Sequence, residues 1–344
     1  MSRIVDYLGP LSEGQPLSEE QARGLMDAIM QGEATSAQIG GILMALRVRG
    51  ETIDELTGFA RAMRAHAVPV RVTRRPLLDT CGTGGDRSQT FNVSTVSALV
   101  VAGAGVPVAK HGNRSATSRS GSADLLEALG VDIAQDADRV AALVDEVGFG
   151  FLFAQAVHTS MRHVAPARRE LGVRTVFNVL GPLTNPADPE RQLLGVFDAQ
   201  WVRPIAEVLQ RLGADRAMVV HGHGGLDEVS LSGPTQYGLV DGGEVREGTI
   251  TPDDLGLPSY PAGSFAGAEP AANAKIAWQV LAGVPGPHLD LVLANAGTAL
   301  YVGRAAATLR EGVELARDAI TCGHAAGVLE SLVARTGGGG GHVS

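Results

Sequence analysis

The stretch Asp79-Thr80-Cys81-Gly82-Thr83-Gly84-Gly85-Asp86 constrains the fold more than any other part of this sequence. It follows the apolar pair Leu77-Leu78 and precedes a helix-like run from Ser94 to Ala104. Glycines allow a tight loop and close approach of a ligand, and consecutive backbone N–H groups in such a loop form an anion site. The positive end of the following helix would strengthen that site. A plain strand-to-helix turn is the alternative.

The composition favours a large α/β protein. With 344 residues, 44% hydrophobic and 19% charged, the chain can form one large or two ordinary domains with an ample core. Aromatic residues make up only 4%, and small apolar residues let helices pack closely on a mostly parallel sheet.

The charge distribution indicates a small anionic ligand. The net charge of -9 argues against nucleic-acid partners. Yet no acidic residue occurs between Arg87 and Ala123, a segment that contains Lys110, Arg114 and Arg119. A basic segment in an acidic protein is more typical of a small anion site than of a polyanion surface.

The cysteines and the apolar stretches indicate in which cellular compartment the protein is expected. Cys81 and Cys322 are far apart and have no metal-ligand spacing, which is typical of reduced thiols in a cytoplasmic protein. We expect Cys81 to be a small buried residue rather than a nucleophile. The longest apolar stretch, 96–109, is too short and too rich in glycine to span a membrane, so we expect no membrane partner.

Residues 1–70 predict a small all-helical domain. Ser18 to Gln21 form a capping-box pattern, and Thr35 or Ser36 and then Thr52 precede two further runs with apolar residues at helical spacing. The short links between these runs favour a compact bundle.

Strands and helices alternate after the basic linker 69–76, which predicts a large α/β domain made of 76–158 and 186–335. We expect strands at 77–80, 106–109, 149–153, 193–197, 217–221 and 236–240. Segment 159–185 interrupts the alternation, and we interpret it as a helical excursion that returns to the first bundle. The later helices are expected at 273–281, 289–300 and 311–334, followed by a disordered Gly-rich tail, 336–344.

Two polar segments lie where ligands bind in open α/β sheets. Asn92-x-Ser94-Thr95 stands at a predicted helix start, where it is either a helix cap or part of a phosphate site. Lys110-His111-Gly112-Asn113-Arg114 directly follows a predicted strand, at the sheet edge where ligands are usually held. It is either a solvated loop or a phosphate-binding segment, with His111 possible as a structural hydrogen-bonding residue.

Two charged clusters come later in the chain. Arg162, Arg168, Arg169 and Arg174 crowd the excursion, and one of them aimed at a carboxylate would form a bidentate clamp. Asp227-Glu228 follows a strand and a Gly-rich loop, which suits Mg²⁺, although an exposed turn pair is the alternative. His221 and His223 have no further ligand pattern, so zinc is disfavoured.

Together these motifs resemble the anthranilate phosphoribosyltransferase family over residues 16–333. The segments that carry the resemblance are Gly82-Thr83-Gly84-Gly85-Asp86, Asn92-x-Ser94-Thr95, Lys110-His111-Gly112-Asn113-Arg114 with Ser120-Gly121-Ser122, Asn178-Val179-Leu180-Gly181-Pro182-Leu183-Thr184-Asn185-Pro186, and Gly225-Leu226-Asp227-Glu228. The resemblance implies a small helical domain plus a large α/β domain, with the site in the cleft at the hinge. It also implies a homodimer formed through the small domain.

The resemblance further implies transfer of phosphoribosyl from 5-phosphoribosyl-1-pyrophosphate (PRPP) to the amine of anthranilate, with Mg²⁺ as cofactor, in tryptophan biosynthesis. The residues implied to bind PRPP are Gly82, Thr83, Gly84, Gly85, Asp86, Thr90, Asn92, Ser94, Thr95, Lys110 and Ser122. Those implied for anthranilate are Gly82, His111, Asn113, Arg168, Gly181 and Pro182. The implied metal ligands are Ser94, Asp227 and Glu228, and no general acid or base is assigned.

Two rival functions remain at this point. A pyrimidine nucleoside phosphorylase resembles this family in fold and phosphate loop, but the Lys-x-Gly-Asn-Arg and Asp-Glu motifs favour the transferase. A catalytically idle relative that binds nucleic acid would need a basic surface, which the net charge opposes. One departure from the family pattern is Arg87, which stands where the family usually has glycine.

Overall fold

The structure, a computed structural model, describes residues 4–85, 90–115 and 119–337. Its N-terminal part is a helical bundle formed by α1 (Ile4–Ser12), α2 (Glu19–Met30), α3 (Ser36–Arg49) and α4 (Ile53–Ala65). Helices α2, α3 and α4 each begin with a reciprocal capping box, in which the N-cap hydroxyl and the side chain three residues later bond each other's backbone N–H. The sequence predicted these three helices but not α1, which contains a proline.

A seven-stranded sheet forms the centre of the second part, within the described residues. Its strands are β1 (Leu78–Gly82), β2 (Val108–Gly112), β3 (Phe149–Phe153), β4 (Arg191–Gly195), β5 (Arg216–His221), β6 (Thr235–Asp241) and β7 (Glu244–Ile250). The strand order is β3-β2-β1-β4-β5-β6-β7. The first five strands in this order are parallel, and β6 pairs antiparallel with both β5 and β7. The fold class is therefore the expected one, a small helical domain plus a large α/β domain with a mostly parallel sheet.

Helices connect and cover the strands. They are α5 (Val93–Gly103), α6 (Ser122–Ala128), α7 (Ala137–Val147), α8 (Ala154–Val157), α9 (Ala165–Leu171), α10 (Phe177–Leu180), α11 (Val202–Arg211), α12 (Pro270–Leu281), α13 (Pro287–Val302), α14 (Leu309–Thr321) and α15 (His324–Thr336). Short 3-10 helices occur at Thr159–His163, Gly181–Leu183 and Ala199–Trp201.

Apolar side chains fill both faces of the sheet. On one face a large cluster joins the sheet to α5, α13, α14 and α15, with Leu99 and Leu293 at its centre. On the other face a second cluster contains Leu25 of α2, Phe177 of α10 and Leu194 of β4. The excursion therefore packs on the N-terminal bundle and on the sheet at once, which places its polar residues beside the ends of the strands.

Several predicted boundaries were wrong. Strands β1 and β2 run on to Gly82 and Gly112, so Lys110 and His111 belong to β2 rather than to the loop after it. The strand continues because Lys110 is buried and hydrogen-bonded to the neighbouring strand. Strand β7 was missed, since most of its residues are polar or exposed.

The C-terminal helix also differs from the expectation. The predicted helix 311–334 is two helices, because Gly323 adopts a left-handed conformation (φ 75°) between them. Helix α15 includes Thr336, which the sequence had assigned to the tail; its hydroxyl accepts from the Asp132 backbone N–H. Residues 338–344 of the predicted tail lie outside the described residues. Within the described ranges, no helix is both long and apolar enough to cross a membrane.

Candidate active site

The site forms at one edge of the sheet, where four neighbouring parallel strands end. Strand β1 ends at Gly82, β2 at Gly112, β4 at Gly195 and β5 at His221. Gly82 and Gly195 lie opposite each other in register. Ligands of open α/β sheets bind at this edge, and most of the predicted site residues follow these four strand ends.

The glycine loop after β1 is held in shape by four neighbours. Thr83 donates its backbone N–H to Gly195 O (2.9 Å), and its hydroxyl accepts from the Phe197 N–H (3.1 Å). The Gly84 N–H donates to the Asp227 carboxylate (2.7 Å), and the Gly85 carbonyl accepts from the Arg174 guanidinium. The loop therefore follows the expected course, although Asp86 and Arg87 lie outside the described residues.

Helix α5 begins at this edge with its N-terminus turned to the carboxylates. The Ser94 backbone N–H donates to Glu228 Oε1 (3.1 Å), so a glutamate from a distant loop satisfies the helix start. Asn92 is the N-cap residue of α5, as one of the two interpretations expected, but its side chain forms no capping hydrogen bond. Its carboxamide is held elsewhere, because it donates to Ser120 O and accepts from the Ser120 hydroxyl and the Asn273 amide.

Two threonines lie near the start of α5, one in its first turn and one before it. Thr95 is buried, and its hydroxyl has no hydrogen-bond partner among the described residues. Such an atom is costly in the interior unless a ligand or water satisfies it. Thr90 is half-buried and forms an isolated bridge with Ala266.

Lys110 is a buried cation at the centre of the edge. Its ammonium donates to the Thr80 carbonyl and to the Ser94 hydroxyl (3.2 Å). Burial lowers the pKa of Lys110, whereas the charges of Asp79, Asp227 and Glu228 oppose that shift. The Lys110 amino group is thus set between the glycine loop and the carboxylate pair.

The predicted magnesium ligands meet at the same place. Asp227 and Glu228 are half-buried and reach the glycine loop and the start of α5, where the Ser94 hydroxyl also lies. Two carboxylates and a hydroxyl form an all-oxygen donor set that fits Mg²⁺ with retained waters. The alternative of an exposed turn pair is wrong. No group of three His, Cys, Asp or Glu side chains suited to a metal occurs in the described ranges, and the His221 ring instead contacts Val196 O (2.8 Å).

A second wall of the cleft is built around two histidines. The rings of His111 and His158 meet at an angle, with centroids 5.0 Å apart. Burial lowers the pKa of His111 to about 3 and that of His158 to about 4, so both are neutral near pH 7. The backbone of Gly181 and of Thr184 opposes these shifts by hydrogen bonding to the two rings. Each Nε2 atom is buried without a partner among the described residues.

The segment after β2 supplies further polar groups. Asn113 is exposed, and its side-chain oxygen accepts from the Arg114 N–H (2.8 Å) and from Gln155 (3.3 Å). The Ser122 hydroxyl donates to the Asn113 carbonyl (3.3 Å), which joins the start of α6 to this segment. Arg114 itself is paired with Asp124 and Glu127. Asn113 is therefore the group of this segment best placed to meet a ligand.

The arginines of the excursion have different surroundings. Arg168 is half-buried beside the Phe177 ring (5.2 Å), and in the described chain it has no carboxylate partner. Burial lowers its pKa, as expected for a cation without a counterion. Arg174 lies over the Phe197 ring (4.4 Å) and holds Gly85.

Several residues of the site were missed by sequence reasoning. His158 reaches the cleft from the end of α8, and Asn273 reaches it from α12. Arg174 was predicted only as one of four candidate carboxylate clamps, and it holds the Gly85 carbonyl instead. Asp79 and Gln192 lie below the edge, inside strands β1 and β4. A polar side chain inside an otherwise apolar strand is the signal that could have found these last two, because buried polar groups need partners.

Comparison with known proteins agrees with this geometry. The α/β domain profile of a glycosyl transferase family matches residues 74–326, and the helical bundle domain profile of the same family matches residues 5–67. The anthranilate phosphoribosyltransferase of Symbiobacterium thermophilum is 52% identical over 325 residues, which cover 94% of this chain and 95% of that one. That of Moorella thermoacetica is 53% identical over 321 residues, 93% of this chain and 95% of the relative.

Solved structures give the same result. The crystal structure of anthranilate phosphoribosyltransferase from Thermus thermophilus superposes with a TM-score of 0.91 at 48% identity, covering 96% of this chain and 99% of that chain. The enzyme from Saccharomyces cerevisiae in complex with PRPP and Mg superposes with a TM-score of 0.88 at 30% identity, covering 97% and 98%.

Proposed function

The chain belongs to the anthranilate phosphoribosyltransferase family, and on this premise we propose a role for each residue of its cleft. The enzyme transfers the 5-phosphoribosyl group of PRPP to the amine of anthranilate, giving N-(5-phosphoribosyl)anthranilate and pyrophosphate in tryptophan biosynthesis. Mg²⁺ is its cofactor.

One observation carries the residue assignment. Asp227 and Glu228 accept hydrogen bonds from the backbone of Gly84 and Ser94, so the carboxylates and the glycine loop form one unit at the sheet edge. A diphosphate with its magnesium ion needs this combination of backbone donors, a cation and oxygen ligands. We therefore assign this side of the cleft to PRPP.

The PRPP side combines several kinds of donor. Backbone amides of the glycine loop and of the α5 start face the same edge as the Lys110 ammonium, and the Thr95 hydroxyl is buried at that helix start. The residues proposed to bind PRPP are Gly82, Thr83, Gly84, Gly85, Asp86, Thr90, Asn92, Ser94, Thr95, Lys110 and Ser122. Of these, Asn92 and Thr83 act mainly by shaping the site, since their side chains already bond neighbouring segments.

Ser94, Asp227 and Glu228 would hold the magnesium ion. When bound, it supplies positive charge to the departing pyrophosphate. Lys110 and the amides of the glycine loop add further positive potential at the same edge. Such preorganised donors lower the barrier because they stabilise charge where it develops.

The acceptor side lies toward the excursion. Arg168 is half-buried and lacks a carboxylate partner in the described part of the chain, so a substrate carboxylate can pair with it. Asn113 is exposed on the loop between the two sides. We propose that both contact anthranilate, with Gly82, His111, Gly181 and Pro182 lining its path.

The chemical step needs little from acid–base groups. The amine nitrogen of anthranilate forms a bond to C1 of the ribose while the bond from C1 to the pyrophosphate oxygen breaks. The pyrophosphate leaves with the electron pair, and the nitrogen loses one proton. An arylamine attacks without prior deprotonation, so positioning and charge stabilisation account for most of the catalysis.

The arrangement of the domains belongs to the same proposal. Residues 1–70 together with 159–185 form the small domain, and 76–158 with 186–335 form the large one. Closure of the two over the cleft would exclude water from the activated sugar. We also propose that the small domain forms the interface of a homodimer.

Stoichiometry tests the function against the phosphorylase alternative. Incubation with PRPP, Mg²⁺ and anthranilate should release one pyrophosphate for each anthranilate consumed. Replacement of PRPP by a pyrimidine nucleoside and inorganic phosphate should give no reaction. Phosphorolysis of the nucleoside, without consumption of anthranilate, would contradict the proposal.

A further inference from the structure

The turn at residues 181–184, here called the acceptor turn, is held by side chains on several sides. The Gly181 carbonyl accepts from the Thr184 hydroxyl (2.9 Å). The next carbonyl, of Pro182, accepts from Gln192 (2.7 Å), and the carbonyl of Leu183 accepts from Arg64 (2.8 Å). Three successive carbonyls thus accept from side chains, and the Gly181 carbonyl also accepts from the Thr184 backbone N–H (3.2 Å).

The bond from Gln192 is the one that fixes Pro182. Proline has no backbone N–H, so its carbonyl is the only backbone group that can form a hydrogen bond. Pro182 is buried, and an unsatisfied buried carbonyl would destabilise the turn. Gln192 is 3% exposed and lies on β4, opposite Asp79 of β1 in register.

A buried hydrogen-bond network orients the side-chain amide of Gln192. Its nitrogen also lies 3.1 Å from Cys81 Sγ and 3.4 Å from Asp79 Oδ2. Asp79 accepts in addition from the Asn185 amide (3.0 Å) and from the His111 backbone N–H (3.3 Å). Asp79 thereby connects Gln192 and Asn185, the residue after the acceptor turn, with the strand that carries His111.

We propose that Gln192 is a positioning residue that sets the acceptor side of the cleft, by holding Pro182 at a fixed distance from His111. This inference rests on the proposed function, because it takes the acceptor turn as the wall of the anthranilate path. Gln192 acts through the Pro182 carbonyl and has no assigned contact with either substrate. The glycine loop is held by Gly195, Phe197, Asp227 and Arg174 instead, and the Gln192 side chain bonds none of these four, so the loop should not depend on it.

The test is Gln192→Met, which keeps the length of the side chain and removes its N–H donors. Loss of this bond leaves the buried Pro182 carbonyl without its donor and misaligns the acceptor side, so the KM for anthranilate should rise about tenfold. The KM for PRPP should stay within about twofold of the wild type, because the partners of the glycine loop are unchanged. Gln192→Asn, which shortens the side chain, should produce the same selective rise and serves if the first variant does not fold.

Thr298→Val is the matched control. It removes a buried hydroxyl that donates to Ala294 O (2.8 Å) within α13, and it should lower stability without changing either KM. Equal changes in the KM values for anthranilate and PRPP, or two unchanged KM values as in this control, would overturn the role of Gln192. Wild-type protein is assayed in parallel. Its failure to consume anthranilate would contradict the proposed function, whereas a working wild type with an unaffected Gln192 variant would contradict only the positioning role.

Discussion

The Asp227 carboxylate accepts a hydrogen bond from the Gly84 backbone N–H, at 2.7 Å across 143 residues of sequence. The bond joins the glycine loop after β1 to the carboxylate pair after β5. Strand β4 lies between these two strands, so the contact crosses the end of β4. The anion-binding loop and the metal ligands therefore form one structural unit.

Removal of both carboxylate charges should abolish magnesium dependence or activity. In Asp227→Asn with Glu228→Gln, the side chains keep their size but lose the charge that attracts the cation. We expect kcat/KM to fall by about a hundredfold or more, the scale on which lost electrostatic stabilisation acts. A magnesium titration measures the effect. An unchanged titration curve would show that the pair is not the metal site.

Arg168→Ala should weaken the use of anthranilate selectively. Loss of a charge-assisted hydrogen bond costs about 1.5–3 kcal/mol, which raises the KM for anthranilate by roughly 10- to 100-fold. PRPP binding should change little. Arg169→Ala is the matched control, since Arg169 is the exposed neighbour on the same helix. Equal losses for both substrates would reject the assignment of Arg168.

Gly195→Ala should damage the metal side of the cleft. A Cβ at this position would lie 1.6 Å from the Asp227 carbonyl oxygen, so the backbone of Asp227 must move. Because small displacements at a catalytic site cost on the order of a hundredfold in rate, kcat/KM should fall by about that factor. Gly40→Ala, with open space around the added carbon, should leave the activity unchanged. Wild-type activity in Gly195→Ala would contradict the described packing.

Acidification should destabilise the protein through its two buried histidines. The folded pKa values, about 3 for His111 and about 4 for His158, lie below the ordinary value of 6.5. Between the folded pKa and the ordinary pKa of each histidine, the unfolded chain binds more protons than the folded protein. Stability therefore falls as the pH falls through this range. Each histidine should cost about 2 kcal/mol of unfolding free energy between pH 7 and pH 5.

Urea unfolding of the wild type and of His158→Gln at these two pH values measures that contribution. The variant should lose about 2 kcal/mol less than the wild type on acidification, because one of the two titrating groups is absent. An identical pH dependence in both proteins would show that His158 is not held neutral by the fold.

Chain-local patterns predicted the fold class and the position of most segments. The capping boxes of α2, α3 and α4 and the alternation of strands and helices are visible in the sequence because they depend on near neighbours. The ends of β1 and β2 were predicted too early in the chain, because they depend on contacts with distant residues. Lys110 looks like a loop residue until its partners, Thr80 and Ser94, are known.

Contacts between distant segments were not predictable in the same way. The position of β4 beside β1 places Gln192 opposite Asp79, and no local pattern encodes that strand order. The neutral His111–His158 pair likewise arises because β2 and the end of α8 are brought together by the fold. The carboxylate pair was found because its two members are adjacent, whereas its contact with Gly84 and Ser94 required the fold.

The most direct test of the account is the fluorescence of anthranilate, which is lost when its amine is ribosylated. Folded protein is mixed with PRPP, Mg²⁺ and anthranilate, and parallel samples lack either Mg²⁺ or PRPP. We expect a progressive loss of fluorescence in the complete mixture and none in either control. A stable signal in the complete mixture, from protein shown to be folded by its thermal transition, would contradict it.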